Sequence, residues 1–184
     1  MGQIKAAEES IMLKTEPPFE KEQDKSLDNE QIGRAIGRLT SGVYVMTLEA
    51  NGVPEGILMT WIGQAAFEPP LISVAVKKGR PILDHLTKGS RFTVNVLSKK
   101  NMDVFKHFAR PNVAPAERFA GLTLVPKKAF GPIFASVVAY LNCSVTNSHE
   151  AGDHYLIVAE VVGGEVLDPD AEPMSHLRRS GFQY

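Results

Sequence analysis

The chain has 184 residues, 43% hydrophobic and 22% charged, with a formal net charge of −1. This is ordinary globular composition with room for one domain and a tail, and it offers no broad electrostatic case for nucleic acid or an anionic membrane as partner. A lone cysteine, Cys143, excludes a disulfide framework and a Cys-rich metal centre, and it fits a reducing, cytoplasmic setting. No apolar run is long enough to span a bilayer, and the opening MGQIKAAEESIMLK lacks the apolar core of a signal peptide.

Residues 1–28 are charged, contain prolines and show little apolar periodicity, which predicts an arm or linker preceding a domain over 29–184. A helix is expected from Leu27 to Leu39. Ser26 or Asp28 can cap it, and Ile32, Ala35, Ile36 and Leu39 recur at helical spacing, while Gly33, Gly37 and Gly42 weaken or end it. Strands follow: SGVYVMTLEA up to the Asn51-Gly52 turn, GILMTWIGQAAF as one strand, then LISVAVKK after Pro69-Pro70. ILDHLTKG reads as a short helix closed by Gly89, RFTVNVLS as a strand, and KNMDVFKHFAR as a helix. Residues 110–132 form a Pro- and Gly-rich excursion before two long strands, FASVVAYLNCSVTNSHEA and DHYLIVAEVVGGEVL. Short strands with few short helices predict a mainly β barrel with helices across its ends.

Several residues sit oddly in this pattern. Thr60, Gly63 and Gln64 interrupt an apolar strand beside Trp61, the only tryptophan. That suits a β-bulge around a core Trp61, or a place where backbone and side-chain donors meet a ligand. Lys77, Lys78 and Arg80 flank Gly79 in a compact cationic turn, either a solvated loop or a phosphate seat. Asn95 is disfavoured in a strand and needs a partner or an exposed face. His154 follows the Gly152-Asp153 turn, where a lone histidine is ordinarily a satisfied structural residue. His149 is near it, but no third ligand stands at a metal-binding spacing, so no metal is expected. Cys143 reads as a buried strand residue, and the basic pair Arg178-Arg179 as solvent-facing in preference to a contact with a nucleotide 2′-phosphate. There is no G-x-G-x-x-G fingerprint, so a Rossmann dinucleotide site is not expected.

Taken in order, SGVYVMT, GILMTWIGQAAFEPPLISVAV, RFTVNVLS, ERFAGL and AGDHYLIVAEV resemble the flavin reductase-like, FMN-binding split-barrel family over roughly residues 30–184. The Thr-Trp-Ile-Gly-Gln strand and the ending RRSGFQY are similar, more narrowly, to the C-terminal flavin reductase module of cyanobacterial-type flavodiiron proteins. Residues 1–28 would then link to a metallo-β-lactamase-like and flavodoxin-like core; the alternative is a free-standing reductase with an arm.

The resemblance implies a Greek-key-like split β-barrel, FMN as cofactor, NAD(P)H as electron donor, and a homodimer with FMN at its interface. It implies an isoalloxazine ring beside Met59, Thr60, Trp61, Ile62, Gln64 and Ala65, and a phosphate near Lys78 and Arg80. It also brings Asn95, Val96, Phe108 and Ala109 toward the flavin, His154 to where nicotinamide stacks, and Phe182 or Tyr184 toward the partner's flavin. The family's usual hydroxyls are partly replaced here by Trp61, Ile62 and Gly63. The expected activity is hydride transfer from NAD(P)H to flavin, with electrons passing on, in the flavodiiron case to an oxygen-reducing core. A non-catalytic module holding FMN or haem is the alternative.

Overall fold

The computed structural model describes residues 28–111, 113–127 and 129–183. The arm or linker expected over residues 1–28 lies, apart from Asp28, outside them. The first helix, α1, spans Asn29–Ile36 and begins where Asp28 accepts a hydrogen bond from the Glu30 amide at 3.2 Å, as expected of an Asp cap.

This helix is shorter than expected and buries the opposite face. Gly33 and Gly37 are buried, whereas Ile32 and Ile36 are each 36% exposed and Leu39 is 69% exposed. The physical reason is close approach of the C-terminal tail. The Gly181 amide donates to the Gly33 carbonyl at 2.6 Å, and a Cβ on Gly37 would stand 2.8 Å from the Arg178 carbonyl oxygen. Helical periodicity identified the apolar face correctly, but the missing side chains decide which face is covered.

Nine strands follow among the described residues: β1 (Ser41–Gly42), β2 (Tyr44–Ala50), β3 (Val53–Met59), β4 (Ile62–Ala66), β5 (Leu71–Lys77), β6 (Arg91–Val96), β7 (Ala139–Ala151), β8 (His154–Val166) and β9 (Ser175–His176). Seven of them form one antiparallel sheet in the order β3-β2-β6-β7-β8-β5-β4, and β1 pairs with β9 in a small ribbon. Asn51 and Gly52 both take positive φ in the β2–β3 turn, as a tight hairpin requires. The stretch GILMTWIGQAAF is not one strand. It breaks at Thr60-Trp61, so that β3 and β4, adjacent in sequence, occupy opposite edges of the sheet. The result is the expected Greek-key-like split barrel.

Strand alternation fills two cores. Met46, Leu48, Val74, Val76, Phe92, Val94 and Ile157 face the barrel interior. Val43, Val45 and Leu97 face outward, toward Phe108 of helix α2 (Met102–Ala109) and toward Phe119 and Phe134. The 110–132 excursion therefore forms part of a second core, and includes a short tight helical segment at Pro115–Phe119. A buried polar network ties it to the sheet. The Asn95 amide donates to Val45 O and Pro132 O, both at 3.2 Å, and its carbonyl accepts from the Phe134 amide at 3.1 Å. The Thr47 hydroxyl donates to Pro132 O at 2.8 Å.

Candidate functional site

The break at Thr60-Trp61 opens onto a groove of about 630 Å³. Its floor is the outer face of β4, β5 and β8. Register pairs Gly63 with Ser73, and Ala75 with Leu156, and all four residues line the groove. Small side chains make this floor flat: a Cβ built on Gly63 would meet only Ser73 Oγ, at 3.9 Å. The opposite wall comes from the β1–β9 ribbon, with Ser41, Gly42, Met174 and Ser175, together with Tyr44. Burial pushes the Tyr44 phenol pKa above its ordinary value. A Cβ on Gly42 would collide with the Tyr44 ring, so glycine is required there for the wall to form.

The main chain at the groove mouth has free edge capacity. Trp61 O accepts from the Ala75 amide at 3.0 Å. Antiparallel alternation then turns the main-chain N–H and C=O of Ile62 outward from β5, along the open edge of the sheet.

At one end of the floor three side chains stack. His154 pairs across β5 with Lys77 and is 6% exposed. Its Nδ1 lies 2.7 Å from Asp153 Oδ1, and this hydrogen bond holds the Asp153 carboxyl pKa below its ordinary value. The His154 ring packs on Trp61 with centroids 4.8 Å apart and planes tilted by 37°. The Arg178 guanidinium lies 4.9 Å from the Trp61 ring centroid, within cation–π range. Arg178 is 8% exposed, which corrects the reading of Arg178 as solvent-facing, whereas Arg179 is exposed as expected. Burial follows from the tail's seat on α1 and from the bond that Arg178 Nη1 donates to Gly181 O at 3.3 Å.

The expected site residues fall into three groups. Thr60, Trp61 and Ile62 line the groove, Met59 is buried in the barrel core just behind them, and His154 closes the end of the floor. Gln64 and Ala65 lie exposed farther along β4, at a register irregularity. Lys78 and Arg80 are exposed on the turn that meets the β7–β8 hairpin, where the Lys78 amide donates to Asp153 O at 2.9 Å. Lys78 Nζ is 3.0 Å from Glu150 Oε2, so its charge already has a partner.

The third group is elsewhere. Asn95 is fully buried in the polar network on the second core, and Phe108 packs edge-on against Phe119 and Phe134. Val96 pairs with Tyr44 and Ala139 within the sheet, and Ala109 ends α2. None of these four side chains lines the groove. Sequence reasoning missed Ser41, Gly42, Tyr44, Ser73 and Ala75 as groove residues, together with the tail residues Met174 and Ser175. The visible signal for the tail was Gly33, Gly37 and Gly181, small residues spaced so that helix and tail can touch.

The profile of the family described as flavin reductase like domain matches residues 36–183. The chain belongs to that family. Diflavin flavoprotein A 1 of Synechocystis sp. is 35% identical over 161 residues, covering 87% of this chain but 28% of that protein. The flavin reductase domain thus spans about 28% of the length of such curated relatives, which bears out the narrower resemblance to a flavodiiron reductase module. Among solved structures, the NADH:FAD oxidoreductase SgcE6 of Streptomyces globisporus, in complex with NAD and FAD fragments, aligns with a TM-score of 0.72 at 28% identity. That alignment covers 84% of this chain and 90% of that one. The styrene monooxygenase flavin reductase of Pseudomonas putida shares the fold, with a TM-score of 0.67 at 22% identity over 78% of this chain and 90% of that one.

The groove fits a flavin on its own terms. A planar ring needs flat contact for its face and hydrogen-bonding groups at its edge. The Gly63-Ser73-Ala75 floor supplies the first; the outward Ile62 main chain and the Thr60 hydroxyl supply the second. Among the described residues no helix is long and apolar enough to cross a membrane, and no group of three or more His, Cys, Asp or Glu could hold a metal ion.

Proposed function

We propose that the domain binds FMN in this groove and serves hydride transfer from NAD(P)H, with electrons leaving to a second acceptor. That acceptor is a free flavin, or a flavodoxin-like centre of a longer flavodiiron polypeptide that reduces oxygen. The observation that carries this is the small-residue floor ending at the Trp61–His154 stack. When bound, FMN supplies the ring that accepts hydride; the protein's task is alignment and exclusion of water.

The residues divide that work. Thr60 and the Ile62 main chain orient the ring edge. His154, its ring direction fixed by Asp153, packs on Trp61 and closes the end of the floor beside the place where the nicotinamide would lie over the flavin. Hydride transfer requires no protein base at carbon, so His154 acts by position. Arg80, which has no acidic partner among the described residues, is the stronger phosphate ligand of the basic turn; Lys78 must share its charge with Glu150. The exposed Ile32, Ile36, Leu177 and Phe182 around α1 and the tail support a homodimer through this face.

The test is an anaerobic titration of FMN-loaded protein with NADPH and with NADH, following the visible flavin band. Bleaching at low nucleotide supports the reading. A bound flavin that neither nucleotide bleaches overturns it.

A further inference from the structure

Among the described residues that line the groove between floor and ribbon, none carries a charged side chain, and the titratable group is Tyr44. His154, at the end of the floor, is engaged by Asp153 and Trp61. The Tyr44 ring packs on the barrel core. Its hydroxyl end is fixed against Gly42, where an added Cβ would collide with the phenol oxygen. Tyr44 pairs with Met59, the last residue of β3, so it stands beside the break where Thr60 and Ile62 reach the groove.

This hydroxyl is a donor without an acceptor. Among the described residues it makes no hydrogen bond, yet no buried side-chain oxygen or nitrogen of those residues lacks a partner. The phenol oxygen therefore opens onto the groove and not into the packed wall. Burial is the cause that lifts its pKa, so the proton stays on at neutral pH. Ser73, by contrast, already commits its hydroxyl to Gly63 O at 3.3 Å.

Hydride reduction breaks a C–H bond of the donor and forms an N–H bond on the flavin. The ring gains two electrons and one proton, and so one negative charge. A hydrogen bond to an ionised acceptor is about twice as strong as one to a neutral acceptor, and a groove without charged side chains does nothing to screen it. We propose that the Tyr44 phenol donates a hydrogen bond to the flavin ring and weights the groove toward the reduced, anionic form. Tyr44 thereby sets the redox poise of the bound flavin. This rests on the flavin reading of the groove and assumes nothing about where the nucleotide lies.

The test is the midpoint potential of FMN bound to the full chain and to Tyr44→Phe, with dithionite as reductant so that nucleotide binding plays no part. Affinities for oxidised and for dithionite-reduced FMN are measured alongside. Phenylalanine keeps the ring on the barrel core, and an unchanged circular dichroism spectrum verifies the fold. Affinity for reduced FMN should fall by about tenfold more than affinity for oxidised FMN. The midpoint then drops by about 30 mV, the two-electron equivalent of that factor. An equal loss in both states, or an unmoved potential, overturns the proposal and leaves Tyr44 a shaper of the wall. If the unaltered chain binds FMN in neither state, the flavin reading fails and the proposal with it. If the potential drops as stated but neither NADPH nor NADH bleaches the flavin, the role of Tyr44 stands and the reductase reading fails.

Discussion

Replacing Asn95 with alanine separates a scaffold role from a flavin role. The wild-type side chain makes bonds to Val45 O, Pro132 O and the Phe134 amide, and its Nδ2 is 3.3 Å from the Thr47 hydroxyl. Alanine orphans the buried Phe134 N–H, which costs roughly 1–3 kcal/mol. The lost bonds to carbonyls that keep other partners add about 1 kcal/mol between them. A small void raises the total to about 3–4 kcal/mol, a large share of a typical domain stability. For a chain of this size that lowers Tm by roughly 10 °C. Urea unfolding followed by circular dichroism measures it, with an unchanged slope confirming that only stability moved. FMN affinity of the folded variant should change less than about threefold, because no Asn95 atom reaches the groove. A loss below about 1 kcal/mol, or an intact fold with weakened FMN binding, would refute the network account.

Three further outcomes are expected. His154→Ala slows flavin reduction by NAD(P)H about tenfold or more through lost alignment, with FMN affinity nearly unchanged; equal loss of both would make the residue structural. Gly37→Val leaves the barrel folded but drives the tail off α1, since its Cβ would stand 2.8 Å from Arg178 O; the emission of the lone Trp61 should shift as Arg178 leaves its face, and an unchanged spectrum would contradict the stack. Burial pushes the Cys143 thiol from 9.0 up to about 12, so a thiol reagent should label it only after unfolding. Because the folded value is the raised one, the stability from keeping this thiol neutral is complete below about pH 9 and lost as pH rises toward 12; Cys143→Ala should flatten that alkaline decline in a Tm-versus-pH series.

Much of the barrel was legible because period-2 alternation in LISVAVKK and RFTVNVLS and the Asn51-Gly52 turn are local signals. The oddity of Thr60-Trp61 was also visible, yet its meaning was not, because a break within a strand and a bulge look alike until the partners of β3 and β4 are known. Asn95 shows the opposite failure: a polar residue in an apolar strand marks a buried bond as readily as a ligand. Arg178 was misread because its burial depends on a helix far away in sequence, through glycines whose role is to offer no side chain.

The groove wall is made by Ser41 and Gly42 pairing with Ser175 and His176. One half of it is therefore among the first residues of the domain to leave the ribosome, and the other half among the last. A nascent chain can assemble the barrel's hairpins during synthesis, but the groove wall forms only once Ser175 and His176 have left the ribosome. On the proposed reading the groove holds flavin only after that pairing forms, and a variant truncated before Met174 should give a folded barrel that does not retain it.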